Sequence, residues 1–246
     1  MRDLLKSWLK KLPVAITRNQ QYDKLTRAVI KKVCAINSNC VDVGCHKGEF
    51  LAYMLKTAHI GHHFAFEPLP QLYNELIIKF KSPFCHIYNL ALSNQAGTCI
   101  FQHVVSNPAY SGFLKRKYER KEEIDEIKVN VARLDDIIPA EVKIDFIKID
   151  VEGAERWVLE GAVNVIERSK PVIVFEFGKG GSEYYGTTPE QFFGFFQKLG
   201  MKISLLNDWL RNKPCLTLPQ FEQQFYNRLN YVFVAWPYTF SLTCNH

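Results

Sequence analysis

The chain has 246 residues, of which 47% are hydrophobic and 23% charged, with 31 Lys/Arg against 25 Asp/Glu. This length suits one full-sized α/β domain and is short for two, and the composition is that of an ordinary globular protein. No apolar run approaches the roughly 20 residues needed to span a bilayer, so a transmembrane chain is excluded.

The seven cysteines (34, 40, 45, 85, 99, 215 and 244) are odd in number and scattered, with no CxxC pair. That usage points to free thiols in a reducing, cytoplasmic compartment, and away from a disulfide framework or a cysteine zinc site. The formal net charge of +6 is not spread over the chain. Residues 1–32 hold nine Lys/Arg and two Asp/Glu, which leaves 22 basic against 23 acidic residues beyond them. A basic groove covering the whole domain is therefore not expected, and a nucleic-acid partner is disfavoured.

In chain order, Leu4, Leu5, Trp8, Leu9 and Leu12 share a helical face that Pro13 ends. This segment is charged within its apolar stretch and lacks a small-residue cleavage site, so it is not a secretory signal. It reads as a capping helix, the alternative being a membrane-surface contact through residues 1–12. A second helix presents Leu25, Ala28, Val29 and Val33. Residues 1–38 are thus a helical lead-in to a domain over 39–246.

From Cys40 onward strands alternate with helices, the pattern of a mostly parallel sheet covered on both faces. Strands are expected at Cys40–Val43, His63–Phe66, Phe84–Leu92, Ile144–Asp150, Val172–Phe177, Met201–Leu206 and Tyr231–Ala235. Helices are expected at Glu49–Lys56, Gln71–Lys81 and Ala154–Arg168, and another follows the capping sequence Thr188-Pro-Glu-Gln191, where Phe192, Phe193, Phe195 and Phe196 read as core. An insertion over 97–131 begins and ends in strand-like pieces around a polar, basic loop.

The chemistry concentrates at strand ends. In Val41-Asp-Val-Gly-Cys-His-Lys-Gly48 a strand closes on an acid and a glycine turn feeds a helix. Dinucleotide binders place a glycine where this chain has Cys45, so close approach of a pyrophosphate is disfavoured. The acid beside the turn suits a ligand carrying an ammonium group, as the methionine end of S-adenosylmethionine does. Glu67 ends the next strand, where nucleoside binders put a carboxylate on the ribose hydroxyls. Asp150, Glu152 and Glu176 follow central strands, and an acid ending an Ile-Lys-Ile strand is costly without a partner. Asp150 is the first candidate for positioning the methyl end or for base duty, with Glu152 and Glu176 beside it; Glu155 reads as a helix N-terminal acid. A metal held by these carboxylates, or by His59-x-x-His62-His63, is not expected. Tyr110, Lys115, Arg116 and Lys117 in the insertion combine aromatic and basic groups suited to an acceptor bearing phosphate or carboxylate, or else form a solvated lid. His103 is a further candidate base.

Val41–Phe50, Phe66-Glu-Pro68, Ala91-Leu-Ser93 with Gly97, Leu134-Asp-Asp136, Ile147-Lys-Ile-Asp-Val-Glu-Gly-Ala-Glu155 and Glu176 together resemble, in order and spacing, the FkbM family of methyltransferases. The similarity runs from about Cys40 to Trp236. It departs at Cys45-His46, where the family commonly has Ala-Asn. The resemblance implies a class I methyltransferase fold, Rossmann-like, with a seven-stranded mostly parallel sheet whose last strand is antiparallel. It also implies S-adenosyl-L-methionine as cofactor and O-methylation of a sugar or other small hydroxylated metabolite. By the same resemblance Asp42, Gly44, His46, Gly48, Glu67, Pro68, Asn89, Ala91, Leu92 and Asp150 are cofactor contacts, the adenine lying near residues 89–92. An RNA methyltransferase and a non-catalytic cofactor-binding module are the alternatives.

Overall fold

A computed structural model describes residues 17–118 and 120–240. The amphipathic stretch over residues 4–12 lies outside them. Helix α1 (Arg18–Val33) starts at a capping box in which the Thr17 hydroxyl and the Gln20 side chain exchange hydrogen bonds with each other's backbone. Thr26, Val29 and Ile30 are its buried positions, with Leu25 and Val33 packing at the margin.

A seven-stranded sheet forms the centre. Its strands are β1 (Cys40–Val43), β2 (His63–Phe66), β3 (Cys85–Tyr88), β7 (Phe146–Ile149), β8 (Val172–Glu176), β9 (Met201–Leu205) and β10 (Val232–Pro237), in the spatial order β3-β2-β1-β7-β8-β10-β9. β10 runs antiparallel to both neighbours, whereas the β1–β2, β1–β7, β2–β3 and β7–β8 pairs are parallel. This is the mostly parallel, class I methyltransferase sheet that the resemblance implied. The strand order reverses at β1, so the carboxyl ends of β1 and β7 flank the crevice where ligands of such sheets bind.

Both faces are covered. On one, Val41, Val43, Ile147, Ile149, Ile173 and Phe175 join the main core with the phenylalanines of α7 (Pro189–Lys198), of which Phe192, Phe193 and Phe196 are buried and Phe195 packs at the edge. On the other, Cys40, Phe146, Val172 and Val174 pack under α1 and α2 (Glu49–Thr57). Helix α3 (Pro70–Lys79) follows β2. The short helix α8 (Leu206–Leu210) and α9 (Leu218–Tyr226), neither expected from sequence, complete the two covers. The signal for α9 was present: Thr217 and Gln220 form a capping box with proline in the first turn, like Thr188 and Gln191 at the start of α7.

Two expectations needed correction. The stretch Phe84–Leu92 is not one strand. It leaves the large sheet after Tyr88, and β4 (Ala91–Leu92) pairs instead with β6 (Ile124–Ala132). With β5 (Gly97–Val104), the insertion therefore builds a separate three-stranded sheet, order β4-β6-β5. The helix expected over 154–168 is broken into α5 (Glu155–Glu160) and α6 (Val163–Ser169). Gly161 lies at the break because the Ser93 carbonyl passes 2.0 Å from where its Cβ would stand. A tertiary approach interrupts an otherwise helical sequence. The remaining helix α4 (Leu134–Ile137) precedes β7.

Cys34, Cys40, Cys45, Cys85, Cys99 and Cys215 are free thiols. Among the described residues no helix is long and apolar enough to cross a membrane.

Candidate functional site

The turn after β1 is shaped by what it must pass. Gly44 adopts φ +70°, and a Cβ there would lie 2.0 Å from the Asp150 carbonyl oxygen, so only glycine fits. The Gly44 and Cys45 amides both donate to the Phe66 carbonyl at 3.1 Å, tying the turn to the end of β2. Gly48, at φ +69°, opens α2 in the left-handed region, wedged against Leu76 and Phe80.

Glu67 is 4% exposed and grips two turns at once. Its Oε2 accepts from the His46 amide at 2.8 Å and its Oε1 from the Leu69 amide at 3.0 Å. Burial pushes its carboxyl up to about 7, against the pull of these two amides. A carboxylate has about four lone-pair sites, so this gripping leaves acceptor capacity over. The Asn89 side chain donates to the Glu67 and Pro68 carbonyls at 2.9 and 3.0 Å, fixing the turn from behind.

Asp42 sits lower than the sequence suggested. It is 1% exposed and faces the α1 side of the sheet, where its strand neighbour in β7 is Lys148. The Lys148 ammonium lies 3.6 Å from Asp42 and 3.3 Å from Asp150, and donates to the Gly44 carbonyl at 3.0 Å. Burial pulls the lysine down, but the carboxylates of Asp150 and Asp42 outweigh it and keep it charged. Lys148 was read in sequence only as part of a motif. The signal was a lysine flanked by two isoleucines in a strand buried at all four positions.

The segment after β7 is equally constrained. Glu152 takes φ +60°, and a Cβ on Gly153 would lie 2.5 Å from the Gly181 backbone. Glu155, at the start of α5 and 1% exposed, turns back to accept from the Val151 and Gly153 amides, each at 3.1 Å. Burial raises its carboxyl to about 7. Glu152 receives a short charged hydrogen bond from Arg116 of the insertion. Arg116 also donates to the Tyr110 and Gly180 carbonyls at 3.2 Å, so it straps the insertion onto this segment. Burial raises Glu152 to about 7 despite the arginine. Glu176 is pushed well above the usual carboxylate range, first by burial and then by the neighbouring Asp150.

These turns enclose a cleft of about 550 Å³, its open mouth included. Of the sequence-derived cofactor residues it is lined by Gly44, His46, Glu67, Pro68, Ala91, Leu92 and Asp150, with Glu152 in the same wall. Asp42, Gly48 and Asn89 stand behind it. Pro108, Ala109, Ser111 and Phe113 of the insertion close the opposite side. Two further spaces adjoin. An outer chamber of about 920 Å³, reached past Glu152, contains Tyr110, Arg116 and Lys117; Lys115 is exposed and lines neither space. An inner chamber of about 330 Å³ lies between α1 and the ends of β7 and β8, and contains Asp150 and Glu176.

His103 lies in a separate pocket with Lys47 and Glu75, outside the cleft. The three clustered histidines diverge: His62 meets the His86 ring at 2.9 Å, and buried His63 meets the Ala58 carbonyl at 2.8 Å. Among the described residues no group of three His, Cys, Asp or Glu side chains is arranged to hold a metal ion.

Several solved structures are similar. The methyltransferase FkbM from Methylobacillus flagellatus is 19% identical over 58% of this chain and 33% of its own, with a TM-score of 0.42. The chain thus spans about a third of that structure's length. A TehB-like S-adenosylmethionine-dependent methyltransferase from Corynebacterium glutamicum is 12% identical over 96% of both chains, with a TM-score of 0.47. An rRNA methylase from Streptococcus thermophilus is 10% identical over 91% of this chain and 98% of its own, also at 0.47. No curated protein sequence matches. The model of the FkbM methyltransferase domain matches residues 42–203, from Asp42 within β1 to the middle of β9. With most of its length matched, from the glycine turn through the segment after β7, the chain belongs to the FkbM family of methyltransferases.

Proposed function

We propose that this methyltransferase binds S-adenosylmethionine in the strand-end cleft and methylates a hydroxyl of a sugar or another small hydroxylated metabolite. The observation that carries this reading is the lining of the cleft. Phe66, Leu69, Leu90, Leu92 and Phe101 offer an apolar slot for a flat base, and Glu67 and Asp150 add carboxyl groups to the same wall. Charge balance supports it. Asp42, Glu67, Asp150, Glu152, Glu155 and Glu176 crowd around two cations, Lys148 and Arg116. A ligand carrying a sulfonium and an ammonium offsets that imbalance.

Within this reading Gly44, His46, Glu67, Pro68, Ala91, Leu92 and Asp150 touch the donor, Glu67 accepting from ribose hydroxyls with its remaining lone pairs. Asp42, Gly48 and Asn89 act from behind, through Lys148, the start of α2 and the Glu67–Pro68 turn. When bound, S-adenosylmethionine supplies a methyl group on a sulfonium whose leaving group is a neutral thioether. The protein's task is then to orient the acceptor, exclude water and take a proton. Asp150 is the assigned base, since it stands in the cleft wall and also faces the inner chamber. Lys148 fixes its carboxylate. Glu176, pushed well above the usual carboxylate range by burial and by the neighbouring Asp150, stands beside it. Glu152, held by Arg116, walls the cleft from the outer chamber, where Tyr110 and Lys117 are placed to touch the distal part of a long acceptor. Arg116 acts as a strap, and Lys115 as a solvated neighbour.

Calorimetric titration with S-adenosylmethionine tests the donor assignment, with a Kd between about 1 and 100 µM expected. No heat at millimolar donor overturns it. Transfer of labelled methyl into neutral hydroxylated acceptors, with Asp150→Asn inactive and still donor-binding, tests the reaction. Label entering RNA instead, with salt-dependent RNA binding, would replace the acceptor class.

A further inference from the structure

We propose that the outer chamber beyond Glu152 is an anion subsite for the acceptor. Arg116, Lys117, Tyr118 and Arg120 there hold a carboxylate or phosphate carried by the same small molecule whose hydroxyl is methylated. This rests on the strand-end cleft being the donor site, and deepens that reading by giving the acceptor a charged group and a place to put it.

The chamber and the cleft share Glu152 as a common wall. Asp150, in the cleft, lies two residues earlier, a separation of at most about 7 Å along the chain. A hydroxyl at Asp150 and an anion beyond Glu152 therefore fit on one small molecule.

The buried polar atoms left unfilled in the chamber walls are groups that donate. The Arg116 side chain is 7% exposed, and its Nε–H, which can only donate, has no acceptor. The Tyr118 hydroxyl is likewise buried without a partner. Such groups are unfavourable when unfilled, and an oxyanion accepts from both. Lys117 and Arg120 line the same space and have no ion pair among the described residues.

The acids nearby are already engaged. Glu152 holds Arg116, and Glu122 takes a short hydrogen bond from the Ser106 hydroxyl. Glu183 turns both oxygens back onto the Gly180 amide, at 2.9 and 2.8 Å. Among the lining residues three cations (Arg116, Lys117, Arg120) face two carboxylates (Glu122, Glu152), a surplus of one positive charge. A cation enlarges that surplus and a neutral group leaves it, whereas a single anion cancels it and accepts charge-assisted hydrogen bonds. A run of phosphates, as in RNA, would meet the two carboxylates as well as the cations and is not what this balance selects.

The walls hold their shape through the protein's own contacts. The Lys117 and Leu114 amides donate to the Tyr184 and Tyr185 hydroxyls at 3.0 and 3.3 Å. The Tyr110 and Tyr118 rings stack at 6.0 Å, inclined by 18°. Preorganisation of this kind lowers the cost of ordering side chains around a ligand.

The test is an NMR titration of the full chain with S-adenosylhomocysteine saturating the cleft. Two signals are followed: the Arg116 Nε–H, assigned by its loss in Arg116→Lys, and the Val151 methyls in the cleft wall. The probes are a hexuronate against its methyl hexoside, a hexose phosphate against the free hexose, and inorganic phosphate alone. The hydroxylated anions should move both signals saturably, with a Kd at least about tenfold below that of the neutral partner, the range of one hydrogen bond to a charged group. Tighter binding of the hexuronate or of the hexose phosphate names carboxylate or phosphate as the group read. Lys117→Met and Arg120→Met should each weaken the anions about three- to tenfold, with neutral probes and S-adenosylhomocysteine changed less than about twofold. Tyr118→Phe should weaken the anions too while holding or raising Tm, because it removes an unfilled buried hydroxyl. The proposal is overturned if anions and their neutral partners bind alike, if the Arg116 Nε–H does not move, or if all three variants bind anions like the parent. It is equally overturned if anions move Arg116 but never Val151, which marks an adventitious ion only, or if an RNA oligonucleotide alone enters. Anion binding by a parent protein that takes no S-adenosylmethionine would instead remove the donor-cleft reading.

Discussion

Replacing Lys148 by Met isolates what holds the floor of the site together. Three contacts disappear: the ion pairs to Asp42 and Asp150 and the hydrogen bond to the Gly44 carbonyl. The two acids are not equally harmed. The Asp150 side chain is 39% exposed and can turn to water, whereas the Asp42 side chain is 1% exposed. Neither Asp42 oxygen has a well-formed hydrogen bond, the Leu51 amide adding only a weak pull. Stranding one partner of a buried pair costs about 3–5 kcal/mol. For a chain of this length that corresponds to a fall in Tm of roughly 6–20 °C. Asp42→Asn in the same background removes the stranded charge and should recover at least half of the loss, giving a coupling of about 2 kcal/mol or more in the double-mutant cycle. The Lys148→Met deficit should also shrink in acid. Burial already holds the Asp42 carboxyl above its usual value, and without the ammonium it rises further. The stability linked to that proton is present at low pH and lost as pH rises through the folded value. Guanidinium denaturation followed by circular dichroism at pH 5 and 8 reads all three quantities. A cost below about 1 kcal/mol, or a coupling indistinguishable from zero, would show that Asp42 is not held by Lys148.

Glu155→Gln keeps an oxygen for the Val151 and Gly153 amides but cannot ionise. Since the glutamate's carboxyl is raised to about 7, its favourable contribution is complete below its ordinary value and is lost as pH rises through 7. The glutamine variant should therefore match the parent at pH 4.5 and exceed it by about 1–3 kcal/mol at pH 8, measured by chemical denaturation at each pH. Gly44→Ala sets a methyl group 2.0 Å from the Asp150 carbonyl at φ +70°, so the turn must move; about 2–4 kcal/mol of stability and all calorimetric donor binding should go. Arg116→Ala leaves Glu152 without its buried cation and releases the strap. Limited proteolysis should then cut within residues 107–118 several-fold faster, and an unchanged digestion pattern would refute the strap.

The central strands were legible because they are buried on both faces and read as short apolar runs between glycines. The site was legible only to the depth that position along one strand allows. Asp42 and Glu67 look alike in the sequence, each an acid at or near the end of consecutive strands. Glu67 follows β2, lines the cleft and binds the amides of two turns. Asp42 lies one residue inside β1, so its side chain falls on the face opposite Val41 and Val43, under α1. What it meets there is decided by register, since the parallel β1–β7 pairing sets Asp42 beside Lys148. No spacing between residues 42 and 148 encodes that neighbour. The division of Phe84–Leu92 and the break at Gly161 have the same origin, because the Asn89 side chain and the Ser93 carbonyl reach partners distant in sequence. Strand alternation nonetheless carried one clue. In Ile147-Lys-Ile149 the isoleucines join the main core, so the lysine between them must enter the opposite buried layer. A lysine held there requires carboxylates around it, and Asp42 and Asp150 are those groups. Two acids that read as independent ligand anchors are thus coupled through one ammonium, and a change at either shifts the field felt by the other.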